Sequence, residues 1–87
     1  MDTSDQLEYL TQLAQQLGLE VRFLDGSGRP DQPGGAVVKL KGREILFIDS
    51  SASLLDQVEA AADFLNGRPE LADMYLPPVI RDRLSAE

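Results

Sequence analysis

ILFIDSSASLLDQVEAAADFL, residues 45–65, runs four apolar residues into a cluster of serines and then into a helical pattern. In Ile45, Leu46, Phe47 and Ile48, apolar side chains fall on both faces of a strand, so this strand belongs in the centre of a sheet or under cover on both sides. Ser50, Ser51 and Ser53 offer N-cap hydroxyls. Ser53 precedes Asp56 by three residues, the spacing of a capping box with Asp in the usual place of Glu. Leu54, Leu55, Val58, Ala61, Ala62 and Leu65 then recur as one apolar stripe, and Asn66-Gly67 ends the helix.

Upstream of this stretch, residues 36–40 and 44–49 flank Lys41-Gly42-Arg43, which reads as a tight hairpin turn with Gly42 at the special backbone position. Residues 25–35 (DGSGRPDQPGG) hold four of the seven glycines and no apolar side chain, the composition of an exposed loop. Gly34-Gly35, next to the strand, suits a bend or a close backbone approach. Residues 19–24 (LEVRFL) alternate as a half-buried strand, with Leu19, Val21 and Phe23 on the face that packs on a helix. That helix covers residues 4–18, where Leu7, Leu10, Leu13, Ala14 and Leu17 make the stripe, Thr3 or Ser4 the cap and Gly18 the stop.

Downstream, Pro69 and Pro78 each suit the first turn of a short helix, which makes residues 68–87 two small C-terminal pieces. The expected fold is a single α+β domain over residues 1–87, in the order α-β-β-β-α plus the short helices. Its three-stranded antiparallel sheet is covered by two main helices.

An 87-residue chain with 43% hydrophobic residues has enough apolar surface for one modest core. It contains neither cysteine nor histidine, which removes disulfides, Cys/His zinc sites, thiol nucleophiles and imidazole bases together. The net charge of −7 argues against a nucleic-acid binder, because phosphate backbones are met by clustered Lys and Arg. The acidic start MDTSDQLEYL lacks the pattern of a signal peptide, and no apolar run reaches a bilayer span, so a cytoplasmic location is expected and no membrane.

The helix over residues 54–65 sets Asp56, Glu59 and Asp63 at i, i+3 and i+7, a carboxylate stripe on one face with no basic residue in the helix to offset it. Such a stripe is either solvated surface or a grip for a basic protein partner. Tyr75 and Leu76, in the apolar stretch MYLPPVI, are candidate apolar anchors beside it if that stretch does not instead close the core, in which case Arg81 and Arg83 reach the acidic helix. An edge strand offers a second route, by pairing with a partner or with another copy as a homodimer.

The segments LAQQLGLEVRF (13–23) and GGAVVKLKGREILFIDSSAS (34–53), followed by a helix, resemble the core of ImmA/IrrE-type metallopeptidases, and the chain is also similar to small bacterial α+β proteins with a Tyr-Leu-Pro-Pro ending. In the metallopeptidases the corresponding helix carries His-Glu-x-x-His. Counting from Asp49, that motif falls at Asp63-Phe64-Leu65-Asn66-Gly67, where both histidines are missing and Phe64 stands in place of the general-base Glu. The resemblance therefore implies a zincin-like scaffold without its metal site, and no cofactor.

The leading expectation is a non-catalytic interaction or regulatory module of a bacterial cytoplasm. The alternatives are a hydrolase working through carboxylates or a divalent metal at Asp49, Glu59 and Asp63, and an acidic inhibitor or antitoxin-like protein.

Overall fold

A computed structural model describes residues 1–84. β3 (Arg43–Ile48) is the central strand of three, flanked by β1 (Glu20–Phe23) and β2 (Gly35–Leu40). β2 and β3 form the hairpin through Lys41 and Gly42, both at positive φ (53° and 78°), the conformation that matches the twist of two antiparallel strands. β1 pairs with the other side of β3 in parallel, Glu20 opposite Ile45 and Phe23 opposite Ile48.

The sheet is thus mixed, not antiparallel throughout. Once Ile45–Ile48 takes the central position and β2 is its hairpin partner, β1 has only the other edge to occupy. The linker from Leu24 to Gly34 crosses the end of β3 without running back down the sheet, so β1 and β3 both point toward that linker.

Two helices stand against one face of the sheet, and a third packs on the second of them. α1 (Thr3–Gln16) is capped by Asp2, whose carboxylate accepts from the Asp5 N–H at 2.8 Å, one or two residues earlier than Thr3 or Ser4. It ends at Gly18 with φ +80°. α2 (Leu54–Leu65) is capped by Ser53, whose hydroxyl accepts from the Asp56 N–H at 3.1 Å. Leu7, Leu10, Leu13 and Ala14 of α1 meet Val58, Ala61, Ala62 and Leu65 of α2 in one cluster with Leu46 and Ile48 of the sheet. Leu54 and Leu55 are 45% and 48% exposed, so the buried stripe of α2 begins at Gln57 and Val58 and not at its first residue. Phe23, at the end of β1, is likewise exposed.

The C-terminal stretch closes this core. A 3-10 turn at Pro69–Asp73 leads into α3 (Pro78–Leu84), and Leu76, Ile80 and Leu84 are buried in the same cluster. Arg81 and Arg83 form no ion pair with α2 among the described residues, although Arg83 lies beside Glu59 and Asp63. Arg81 donates to the Leu76 carbonyl at 3.3 Å and Arg83 to the Gln6 side chain at 3.0 Å.

Two substitutions test this arrangement by urea unfolding. Ile80→Ala, at a fully buried position, is expected to cost about 3 kcal/mol through the cavity it leaves. Gly34→Ala is expected to cost about 3 kcal/mol for the opposite reason, because a Cβ there would lie 1.8 Å from the Asp56 carbonyl oxygen. Wild-type stability in either variant would contradict the packing described.

Candidate functional site

The end of β3 is organised by one carboxylate. Asp49 is buried, and its own N–H donates to the Gly34 carbonyl at 2.8 Å, continuing the β2–β3 ladder. Its side chain receives the N–H groups of Gly26 (2.9 Å), Gly28 (3.0 Å) and Ser51 (2.9 Å), and the Ser51 hydroxyl as well. Beside it the Ser50 hydroxyl donates to Asp25. These bonds, led by the Ser51 hydroxyl and the amides of Gly26 and Gly28, hold the Asp49 carboxyl well below the usual carboxylate range.

Gly28 follows from crowding, whereas Gly26 has open space around it and follows from its positive φ of 80°. A Cβ on Gly28 would meet the Pro33 carbonyl at 2.0 Å and the Asp49 carboxylate at 2.9 Å. The loop over residues 25–34 is therefore folded down onto β3 as well as being solvent-facing. The sequence placed Asp49 at a strand end and offered it as a carboxylate or metal-site partner of Glu59 and Asp63, not as the acceptor of the loop amides. The signal that could have identified it is the pair Gly26 and Gly28, whose bare amides need an acceptor where the chain crosses a strand terminus.

The acidic residues of α2 lie elsewhere. Asp56 is half-buried at the first turn, where the helix dipole favours it, while Glu59 and Asp63 are exposed. Asp63 accepts from the Gln32 side-chain amide. The three ion pairs among the described residues, Arg22–Glu20, Arg43–Glu20 and Arg68–Glu44, all lie away from Asp56, Glu59 and Asp63. Arg83 borders a shallow hollow with Glu59 and Asp63 yet donates to Gln6.

Next to Asp63, between α2 and β2, opens a cleft of about 310 Å³. Val37, Leu46, Ala60 and Phe64 make it apolar, and Arg29, Asp31, Gln32 and Asp63 supply its polar groups. The cleft was not legible in the sequence, because it depends on which edge β2 occupies and on the loop returning beside it.

The remaining predicted residues separate. Tyr75 is 78% exposed, but Leu76 is 6% exposed and part of the core, so it presents no surface for an anchor. The structure thus brings Glu59 and Asp63 to one outer face and removes Leu76 from it.

For carboxylate chemistry the arrangement offers little. Asp49 is committed to four donors, which leaves it a strong acid and a poor proton carrier. Among the described residues no three Asp or Glu side chains converge where a metal ion could be held. Among the described residues no helix is long and apolar enough to cross a membrane.

The state of Asp49 has a measurable consequence. A carboxylate whose folded pKa is depressed contributes stability in full above its unfolded value of about 3.9 and loses it as pH falls from there toward the folded value. Asp49→Asn would turn an amide NH₂ toward donor N–H groups. It is expected to lower the urea midpoint at pH 7 more than Glu59→Gln, and to flatten the fall in stability below about pH 4. Equal midpoints for the two variants would contradict the clamp.

Compared with known protein families, with curated proteins and with solved structures, the chain matches none.

Proposed function

We propose that the chain is a non-catalytic protein-interaction or regulatory module of a bacterial cytoplasm, and that it engages a basic protein partner. The observation that carries this reading is the outer face of α2, where Glu59 and Asp63 are exposed and none of the ion pairs among the described residues involves them. On a chain of net charge −7 such a face steers and selects cationic surfaces.

The resemblance to metallopeptidase cores fits the same reading. Where the metal motif would stand, α2 has Asp63 on the surface and the buried side chains of Phe64 and Leu65. On this reading the helix serves packing and binding at the position where the metallopeptidases carry their catalytic motif. An inhibitor that neutralises a basic partner is one form this module takes.

The experiment is affinity capture by the full chain from its native lysate at low and high salt, repeated with the double variant Glu59→Lys, Asp63→Lys. The expected result is a partner retained at low salt, released at high salt and lost in the variant. Unfolding free energy should change by no more than about 1 kcal/mol, as for exposed sites. Capture unaffected by the charge reversal would remove this face from the account.

A further inference from the structure

Among the described residues, no strand pairs with the outer side of β2. Along the hairpin the hydrogen-bonded pairs alternate, and the Asp49 N–H donating to the Gly34 carbonyl sets their phase. Gly34, Ala36, Val38 and Leu40 therefore turn their amides and carbonyls toward β3. Val37 and Lys39 turn theirs outward, past the last strand of the sheet. The outward N–H of Gly35 is already used, donating to the Gln32 carbonyl at 3.3 Å, so the open stretch runs from Val37 to Lys39.

The cleft lies directly beside this edge. Val37 is 44% exposed and forms part of its wall. A strand added to β2 would place the residue opposite Val37 on the same face as the Val37 side chain, over the cleft. Its floor of Leu46, Ala60 and Phe64 suits an aliphatic stem, and Asp31 and Asp63 at its mouth suit a cationic head. Arg29 lies at the same mouth and balances one of the two carboxylates, which leaves a match for a single added positive charge.

We propose that the β2 edge binds an extended basic segment of a partner protein by strand addition, with one lysine or arginine of that segment seated in the cleft between β2 and α2. This rests on the reading of the chain as an interaction module, and names both the route and the side chain. A second copy is the poorer occupant, since each copy brings a net charge of −7 and Lys39 sits on the edge that would have to pair with itself.

The test uses the full chain and a display library of random peptides about ten residues long, a length that spans one added strand. The recovered peptides are expected to share one Lys or Arg within a β-branched context. The tightest of them should slow hydrogen exchange at the Val37 and Lys39 amides about tenfold or more. Asp63→Asn should weaken that peptide about tenfold, the effect of losing one charge-assisted bond.

A library that yields no binder, or binders without a basic residue, would overturn the inference, as would unchanged exchange at Val37 and Lys39 in the unmodified protein. Binders that leave those amides unprotected but are lost on Glu59→Lys would end the strand-addition route and leave the α2 face as the module's surface.

Discussion

The carboxylate of Asp49 is the constraint on which the rest of the molecule depends. β1 and β2 lie on opposite sides of β3, so the chain between them must pass over the end of β3, where its amides would lack partners. Asp49 stands at that end and accepts the amides of Gly26 and Gly28. The same residue bonds Ser51, which starts the turn into α2, and its own amide holds Gly34. Strand order, the descent of the glycine loop and the entry into α2 are therefore joined at one side chain.

From this point the fold follows by packing. With the loop held down, Gly34 passes so near the Asp56 carbonyl that no side chain fits, which sets α2 against β2 and β3. α2 lies beside α1 and forms the core with Leu46 and Ile48, and Ile80 of α3 closes it from the other side. α2 and the sheet do not close fully along the outer strand. The opening left there, between Val37 and Phe64, is the cleft.

The sequence disclosed the elements more readily than their arrangement. Periodicity located the helices, and Lys41-Gly42 located the hairpin, because these signals are local. Ile45–Ile48, apolar on both faces, already pointed to a central strand. The parallel direction of β1 against a central β3 follows only from the linker crossing the end of the sheet without running back, and no local signal in the sequence sets that path. Leu54 and Leu55 show the limit of a helical stripe, since both are about half exposed although the pattern includes them in the buried face. The acidic face was legible because Glu59 and Asp63 are set by helix geometry alone. Closure of the core by the MYLPPVI stretch was one of the two readings open in the sequence, but the cleft beside β2 was not legible, because it arises from contacts between segments distant in the chain.

The most direct measurement is an NMR titration of the Asp49 side-chain carboxyl carbon from neutral pH down to about 2, followed together with the amide protons of Gly26 and Gly28. The account predicts that Asp49 stays ionised through the ordinary carboxylate range near pH 4, and that the two glycine amides keep their hydrogen-bonded shifts until the carboxylate protonates or the chain unfolds. A midpoint near 3.9 with glycine amides indifferent to it would contradict the account. The crossing of β3 would then be held by something other than this carboxylate.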